Sequence, residues 1–195
     1  MAQTALRRWT LDEFFAWAER QEDRYELVDG VPVRMMAGTS NRHDDIVVNL
    51  VSELRSQLRG KPCRPFTADG SVETYPGQIR RPDAGVDCGR RDPNGYRAAD
   101  PRLVAEVLSP STRDLDTARK VPEYQSLPGL DYILVIDTNA AAVLVLTRDD
   151  ARAWSERRVE GLEATLALPA IGITLALSDL YDGVDLPASP PRLTL

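Results

Sequence analysis

Apolar residues along this chain follow two periodicities, and the switches between them mark out its elements. Thr10-Leu11-Asp12-Glu13 has the spacing of a capping box and opens an amphipathic stretch through Phe14, Phe15, Trp17 and Ala18, which predicts a helix ending near Asp23. Residues 25–28 and 31–35 flank Asp29-Gly30, the strongest short-range hairpin signal. After the turn-like 38–41, Ile46, Val47, Leu50, Val51, Leu54 and Leu58 recur at helical spacing up to Gly60, a residue suited to the end of a helix. Strands are expected near 63–66, 70–75, 83–88 and 102–108, divided by Pro- and Gly-rich turns. A helical stretch from about Leu115 to Leu127 carries Lys120 and is kinked or restarted at Pro122. Residues 132–136 and 141–146 read as neighbouring strands, 153–159 and 165–168 as further ones, and 178–181 as a short capped helix. This predicts a single domain over 1–183 and a Pro-rich tail over 184–195, with no repeat and no linker.

Two carboxylates break the apolar pattern. Asp83 follows Pro82 at the head of one strand, and Glu106 interrupts Leu103-Val104-Ala105-Glu106-Val107-Leu108, 23 residues later. An ionised Glu in an apolar strand costs several kcal/mol unless it is paired or coordinated. A hard divalent cation such as Mg²⁺ is one such partner.

Composition narrows the alternatives. The 195 residues are 43% hydrophobic and 28% charged, ordinary for a globular protein, and no segment approaches the ~18 consecutive apolar residues of a membrane span. The first residues lack an export signal's apolar core, so the expectation is a cytoplasmic protein that does not engage membranes. Cys63 and Cys88 are too far apart for a CxxC pair and His43 is the one histidine, which leaves oxygen ligands rather than a Cys/His zinc site. A net charge of −6 argues against wholesale coating of nucleic acid but says little about a local groove. Of the 24 basic residues 22 are Arg, so the two lysines, Lys61 and Lys120, stand out. A lysine offers a compact point charge that arginine does not.

Four segments carry a resemblance to a known family: Tyr25-Glu26-Leu27-Val28-Asp29-Gly30, Arg81-Pro82-Asp83, Leu103 through Glu106-Val107-Leu108-Ser109-Pro110-Ser111-Thr112, and Lys120 followed by Tyr124. From the first helix to Tyr181 the chain resembles the PD-(D/E)XK nuclease superfamily, and within it the bacterial branch of restriction-endonuclease-like proteins. The resemblance implies a mixed α/β (α+β) fold: a restriction-endonuclease-like core of mixed β-sheet flanked by helices, with an extra N-terminal helix and hairpin and C-terminal strands. It implies a Mg²⁺- or Mn²⁺-dependent endonuclease acting on DNA, with Asp83, Glu106 and the Val107 backbone carbonyl as metal ligands. The motif's lysine falls at Leu108, and Lys120 on the following helix stands where a displaced lysine is expected, its long stem reaching back to the site. The same departure leaves open a catalytically silent domain that keeps the fold and binds nucleic acid or a protein. A homodimer is expected, since cutting both strands of a duplex calls for two sites.

Several of the other candidates have two readings. Glu26 is an auxiliary acid of the site or a hairpin Glu facing solvent. His43 touches a phosphate or is solvated in its helix's first turn. Arg80-Arg81 form a phosphate-binding rim or a paired surface charge. Tyr124 buttresses Lys120 from one helical turn away. Asp87 shares a strand face with Asp83 or marks the strand's wet end. Ser109, Ser111 and Thr112 cap the following helix.

Overall fold

Thr10 caps α1 (Leu11–Ala18) through both bonds of the capping box: its hydroxyl accepts the Glu13 N–H, and the Glu13 carboxylate accepts the Thr10 N–H. The helix buries Phe14 and Phe15 and stops at Ala18, short of Asp23, because residues 19–24 supply no apolar side chain to the core. Gln21 closes its end by donating to the Trp17 carbonyl. In this computed structural model, which describes residues 7–35, 40–108 and 116–187, β1 (Tyr25–Val28) and β2 (Val31–Arg34) then form the expected hairpin. Asp29 and Gly30 both take positive φ, the conformation a two-residue hairpin turn demands.

Helix α2 (Asn41–Gln57) is capped by Ser40 and buries Ile46, Leu50 and Leu54. It is followed by β3 (Arg64–Thr67), β4 (Val72–Tyr75), β5 (Gln78–Arg80), β6 (Ala84–Asp87) and β7 (Pro101–Leu108). A π-helical turn, Asp116–Lys120, leads into α3 (Val121–Gln125). Pro122 lies in the first turn of α3, where a missing N–H leaves no bond unmade, so the expected single helix over 115–127 is a π turn and a short α-helix. The chain finishes with β8 (Tyr132–Asp137), β9 (Ala142–Arg148), β10 (Trp154–Glu160), β11 (Thr165–Leu168), a 3₁₀ turn, β12 (Ile173–Ala176) and α4 (Leu177–Leu180). The capping segment 109–112 and residues 188–195 of the tail lie outside the described residues.

Six strands form the central mixed sheet in the order β10-β9-β8-β7-β6-β3. Only β7 and β8 pair in parallel, and α3 lies in the crossover between them. Side chains of β7 alternate between two cores. Leu103, Ala105 and Val107 pack with α2, β12 and α4; Val104 and Leu108 pack with Tyr124, Leu127 and Leu130 on the α3 side. Burial on both faces is why this strand reads as a continuous apolar run. A second sheet, β2-β1-β5-β4, packs against α1 through Phe14, Phe15, Leu27 and Ile79. Sequence reasoning missed β5, which has three residues of which two are polar, and β12. It also set the cysteines aside, whereas Cys63 and Cys88 stand opposite one another at the ends of β3 and β6 and form a disulfide. No helix among the described residues is long and apolar enough to cross a membrane.

Candidate active site

The last paired residues at the head of β6 are Ala84 opposite Ala105. One residue further on, Asp83 stands beside the β7 residues Glu106 and Val107, and its Oδ2 accepts the Val107 N–H at 2.8 Å. Alternation along β7 turns Glu106 to the α3 side. There the Tyr124 hydroxyl donates to Glu106 Oε1 at 2.7 Å, and the Lys120 ammonium lies 3.3 Å from Oε1 and 3.4 Å from Oε2. Lys120 also lies 3.5 Å from Glu26 Oε1. Leu108, at the place of the motif's usual lysine, is buried against α3.

Glu26 does not face solvent. It is 5% exposed, and its carboxylate accepts the Arg81 N–H at 3.0 Å and an Arg80 Nη1–H at 2.8 Å. Arg80 is no phosphate rim and no surface charge, because strand β5 carries it inward. Its guanidinium grips Glu123 of α3 through Nε at 2.7 Å and Nη2 at 2.6 Å while holding Glu26 with Nη1. Arg81 is half-buried and donates to the carbonyls of Tyr25 and Asp69. His43, expected in solvent or on a phosphate, is buried at the start of α2 with Nε2 3.4 Å from Asp83 Oδ2. Asp87 leaves the site altogether: at the far end of β6 it accepts the N–H groups of Gly89, Ala99 and Asp100, tying down the loop before β7. Sequence reasoning missed Glu123 and Thr74, whose hydroxyl bonds Glu123 at 3.3 Å. The spacing of Glu123 three residues after Lys120, on one helical face, was the available signal.

The family model described as "Uma2: Putative restriction endonuclease" matches residues 11–178, most of the chain. The chain belongs to the Uma2 family. A relative from Synechocystis sp., described as "Uncharacterized protein slr1290", is 32% identical over 176 residues, spanning 89% of this chain and 91% of that protein. The crystal structure of a "putative nuclease belonging to DUF820" from Anabaena variabilis shares the fold, with a TM-score of 0.70 over 90% of this chain and 98% of that one at 20% identity. Family and fold agree with a restriction-endonuclease-like member of the PD-(D/E)XK superfamily.

In this Uma2 chain the charges at the site are fixed by their neighbours. Burial alone would depress the basicity of Arg80, but its hydrogen bonds and charge pairing with Glu123 and Glu26 outweigh this and raise it above the ordinary value, so the guanidinium stays charged. Burial, then the charges of Glu106 and Glu26, push the Tyr124 phenol well above its usual range and keep it a donor to Glu106. Among the described residues no cluster of three or more His, Cys, Asp or Glu side chains is arranged to hold a metal. That excludes a closed cage built from such side chains among these residues. Mg²⁺ commonly takes one or two carboxylates and keeps its other positions for water and phosphate. The available donors are carboxylate oxygens, the hard type that Mg²⁺ and Mn²⁺ select. Asp83, with 20% of its side chain exposed against 3% for Glu106, marks the side open to solvent.

Proposed function

We propose that this protein is a Mg²⁺- or Mn²⁺-dependent endonuclease that hydrolyses phosphodiester bonds of DNA, with Asp83 and Glu106 as the metal-holding carboxylates. The observation that carries the reading is the Lys120 ammonium lying against both Glu106 and Glu26, beside the strand end that presents Asp83. A bound divalent ion would supply an activated water and offset charge on the scissile phosphate. The residues themselves divide the other tasks. Asp83, tied to the Val107 N–H through Oδ2, is held in a fixed orientation at the partly exposed edge of the site. Glu106 is held from behind by Tyr124. Lys120 donates a hydrogen bond to a non-bridging phosphate oxygen, where negative charge grows in the transition state, or positions the attacking water. Glu26 keeps that ammonium oriented. We further propose that the protein acts as a C2 homodimer, one site per strand of the duplex; light scattering that returns a monomer mass would count against this.

The test separates holding the ion from using it. Calorimetry with Mn²⁺ and nicking of supercoiled plasmid are measured on the wild type, Asp83→Ala and Lys120→Ala. The wild type binds and nicks, Asp83→Ala does neither, and Lys120→Ala binds Mn²⁺ nearly as well as the wild type but nicks on the order of 10²-fold more slowly. A wild type that binds Mn²⁺ yet cuts no DNA or RNA indicates a silent nuclease-fold domain. One that binds no Mn²⁺ ends the reading.

A further inference from the structure

We propose that Arg80 is the positioning residue of this site: acting through Glu26 and Glu123, it sets where Lys120 stands against Glu106. The inference rests on the nuclease reading for its catalytic consequence, but its geometric part stands apart from that reading.

Three separate pieces of chain must meet for Lys120 to reach Glu106. Glu26 comes from the first hairpin, Asp83 and Arg80 from the β5–β6 segment, and Lys120, Glu123 and Tyr124 from the crossover between β7 and β8. The crossover element is weak by itself. A five-residue α-helix entered from a π turn makes too few internal bonds to persist, so its place is set by what it docks on. Lys120, Glu123 and Tyr124 are related by three and four residues and share one face. Whatever fixes Glu123 therefore fixes the other two. The Arg80 fork does this with two short bonds to Glu123, at 2.7 and 2.6 Å, and its remaining arm holds Glu26, whose other oxygen lies against Lys120. One guanidinium thus sets both the helix that carries the ammonium and the carboxylate that flanks it.

The chemistry requires arginine. A planar fork fixes the angle of a carboxylate as well as its distance, whereas a lysine at the same place supplies only a point charge. Nor does stability alone explain the arrangement, because a buried ion pair is often no more stabilising than well-packed apolar residues of similar volume. The bonds of Arg80 run to Glu26 and Glu123, so it acts on Lys120 through these two partners.

The experiment uses the full chain and the variants Arg80→Lys, Arg80→Gln and Glu123→Gln. Three quantities are read: Mn²⁺ affinity by calorimetry, kcat and KM for plasmid nicking, and the Hε–Cε correlations of ¹³C-lysine-labelled protein. With two lysines in the chain, such a spectrum has one signal from Lys61 and one from Lys120. Expected results are a kcat lowered by about 10- to 100-fold in all three variants, with Mn²⁺ affinity and KM within about threefold of the wild type. In Arg80→Gln and Glu123→Gln the Lys120 signal moves while that of Lys61, held on the Gly172 carbonyl, does not. The Arg80→Gln, Glu123→Gln double variant is no worse than either single one, because both remove the same link. Arg80→Lys keeps the charge and fails to rescue. An unmoved Lys120 signal overturns the proposal, as does a kcat loss that merely tracks the folded fraction by circular dichroism. If Arg80→Gln does not fold, Glu123→Gln carries the same test from the rim of the network. If the wild type binds Mn²⁺ but cuts nothing, the nuclease reading falls, and the lysine spectrum still decides what Arg80 does.

Discussion

Replacing Tyr124 by Phe removes a single oxygen from a fully buried ring, and its cost can be worked from the structure. The hydroxyl donates at 2.7 Å to Glu106, itself 3% exposed. A hydrogen bond to a charged group contributes roughly 1.5–3 kcal/mol, and the loss is felt in full when the acceptor stays buried. Phe keeps the ring's packing, so no cavity cost is added. The substitution should therefore destabilise by about 1.5–3 kcal/mol, or some 3–12 °C in Tm for a chain of this length. Tyr132→Phe is the control. Its hydroxyl accepts a neutral backbone N–H from Ala170 at 3.0 Å, and its loss should cost about 0.5–1.5 kcal/mol. Urea unfolding followed by tryptophan fluorescence reads both as shifts in midpoint at constant m. On the proposed metal role of Glu106, Tyr124→Phe should also weaken Mn²⁺ binding by roughly 10- to 100-fold, the usual effect of removing a hydrogen-bond partner of a ligand. A Tyr124→Phe protein no less stable than Tyr132→Phe would refute the premise that the hydroxyl holds a charged Glu106.

Two further outcomes follow from buried groups elsewhere. Burial, and for Tyr124 also the charges of Glu106 and Glu26, raise the Tyr124 and Tyr181 phenols above their ordinary 10.0, so both remain protonated in the folded state while the unfolded chain releases these protons near pH 10. Stability is then fully present below pH 10 and falls above it by about 1.4 kcal/mol per pH unit for each phenol; urea midpoints at rising pH should show the combined slope, to which the raised Tyr132 phenol also adds, and Tyr124→Phe should make it shallower by about 1.4 kcal/mol per pH unit. The Cys63–Cys88 disulfide closes a loop of 25 residues, so a phosphine reductant should cost about 3.5 kcal/mol of stability. An unchanged Tm together with free thiols beforehand would show that the bond does not form in the purified protein.

The elements with strong local signals were legible, and those set by distant partners were not. Thr10 and Glu13 make a cap entirely from residues three apart, and Asp29-Gly30 makes a turn from two residues that tolerate positive φ. Neither depends on anything remote. By contrast β5 has the sequence Gln78-Ile79-Arg80, and only its pairing with β1 and β4 gives it strand structure. Its polar side chains are buried because Asp29, Thr74, Glu26 and Glu123 satisfy them, and those partners lie 4 to 54 residues away. The disulfide was illegible for the same reason. Spacing along the chain says little about two residues that antiparallel pairing sets face to face.

The candidate site divides along the same line, and the division has a physical cause. Glu106 is conspicuous because a charge in a doubly buried strand is costly, and Lys120 because lysine is rare in this chain. Scarcity and cost can both be read without coordinates. Arg80 and Glu123 are ordinary residues in ordinary surroundings until the fold brings them together, and each had a plausible life on the surface. On the proposed role of Lys120, the same network accounts for Leu108 standing where the motif's lysine would be. That position is committed to the apolar core under α3, so the positive charge must arrive from elsewhere, and an ammonium delivered from a short helix needs an anchor that a lysine built into β7 would not. A prediction comes from this trade. Restoring the motif with Leu108→Lys in a Lys120→Ala background should recover little nicking, because a lysine at 108 takes a buried place in the apolar cluster under α3, where its charge is costly and the Arg80–Glu123 anchor does not orient it. Plasmid nicking by the double variant at or near the wild-type rate would show instead that the position of the lysine on the chain is interchangeable, and that the α3 anchor serves some other purpose.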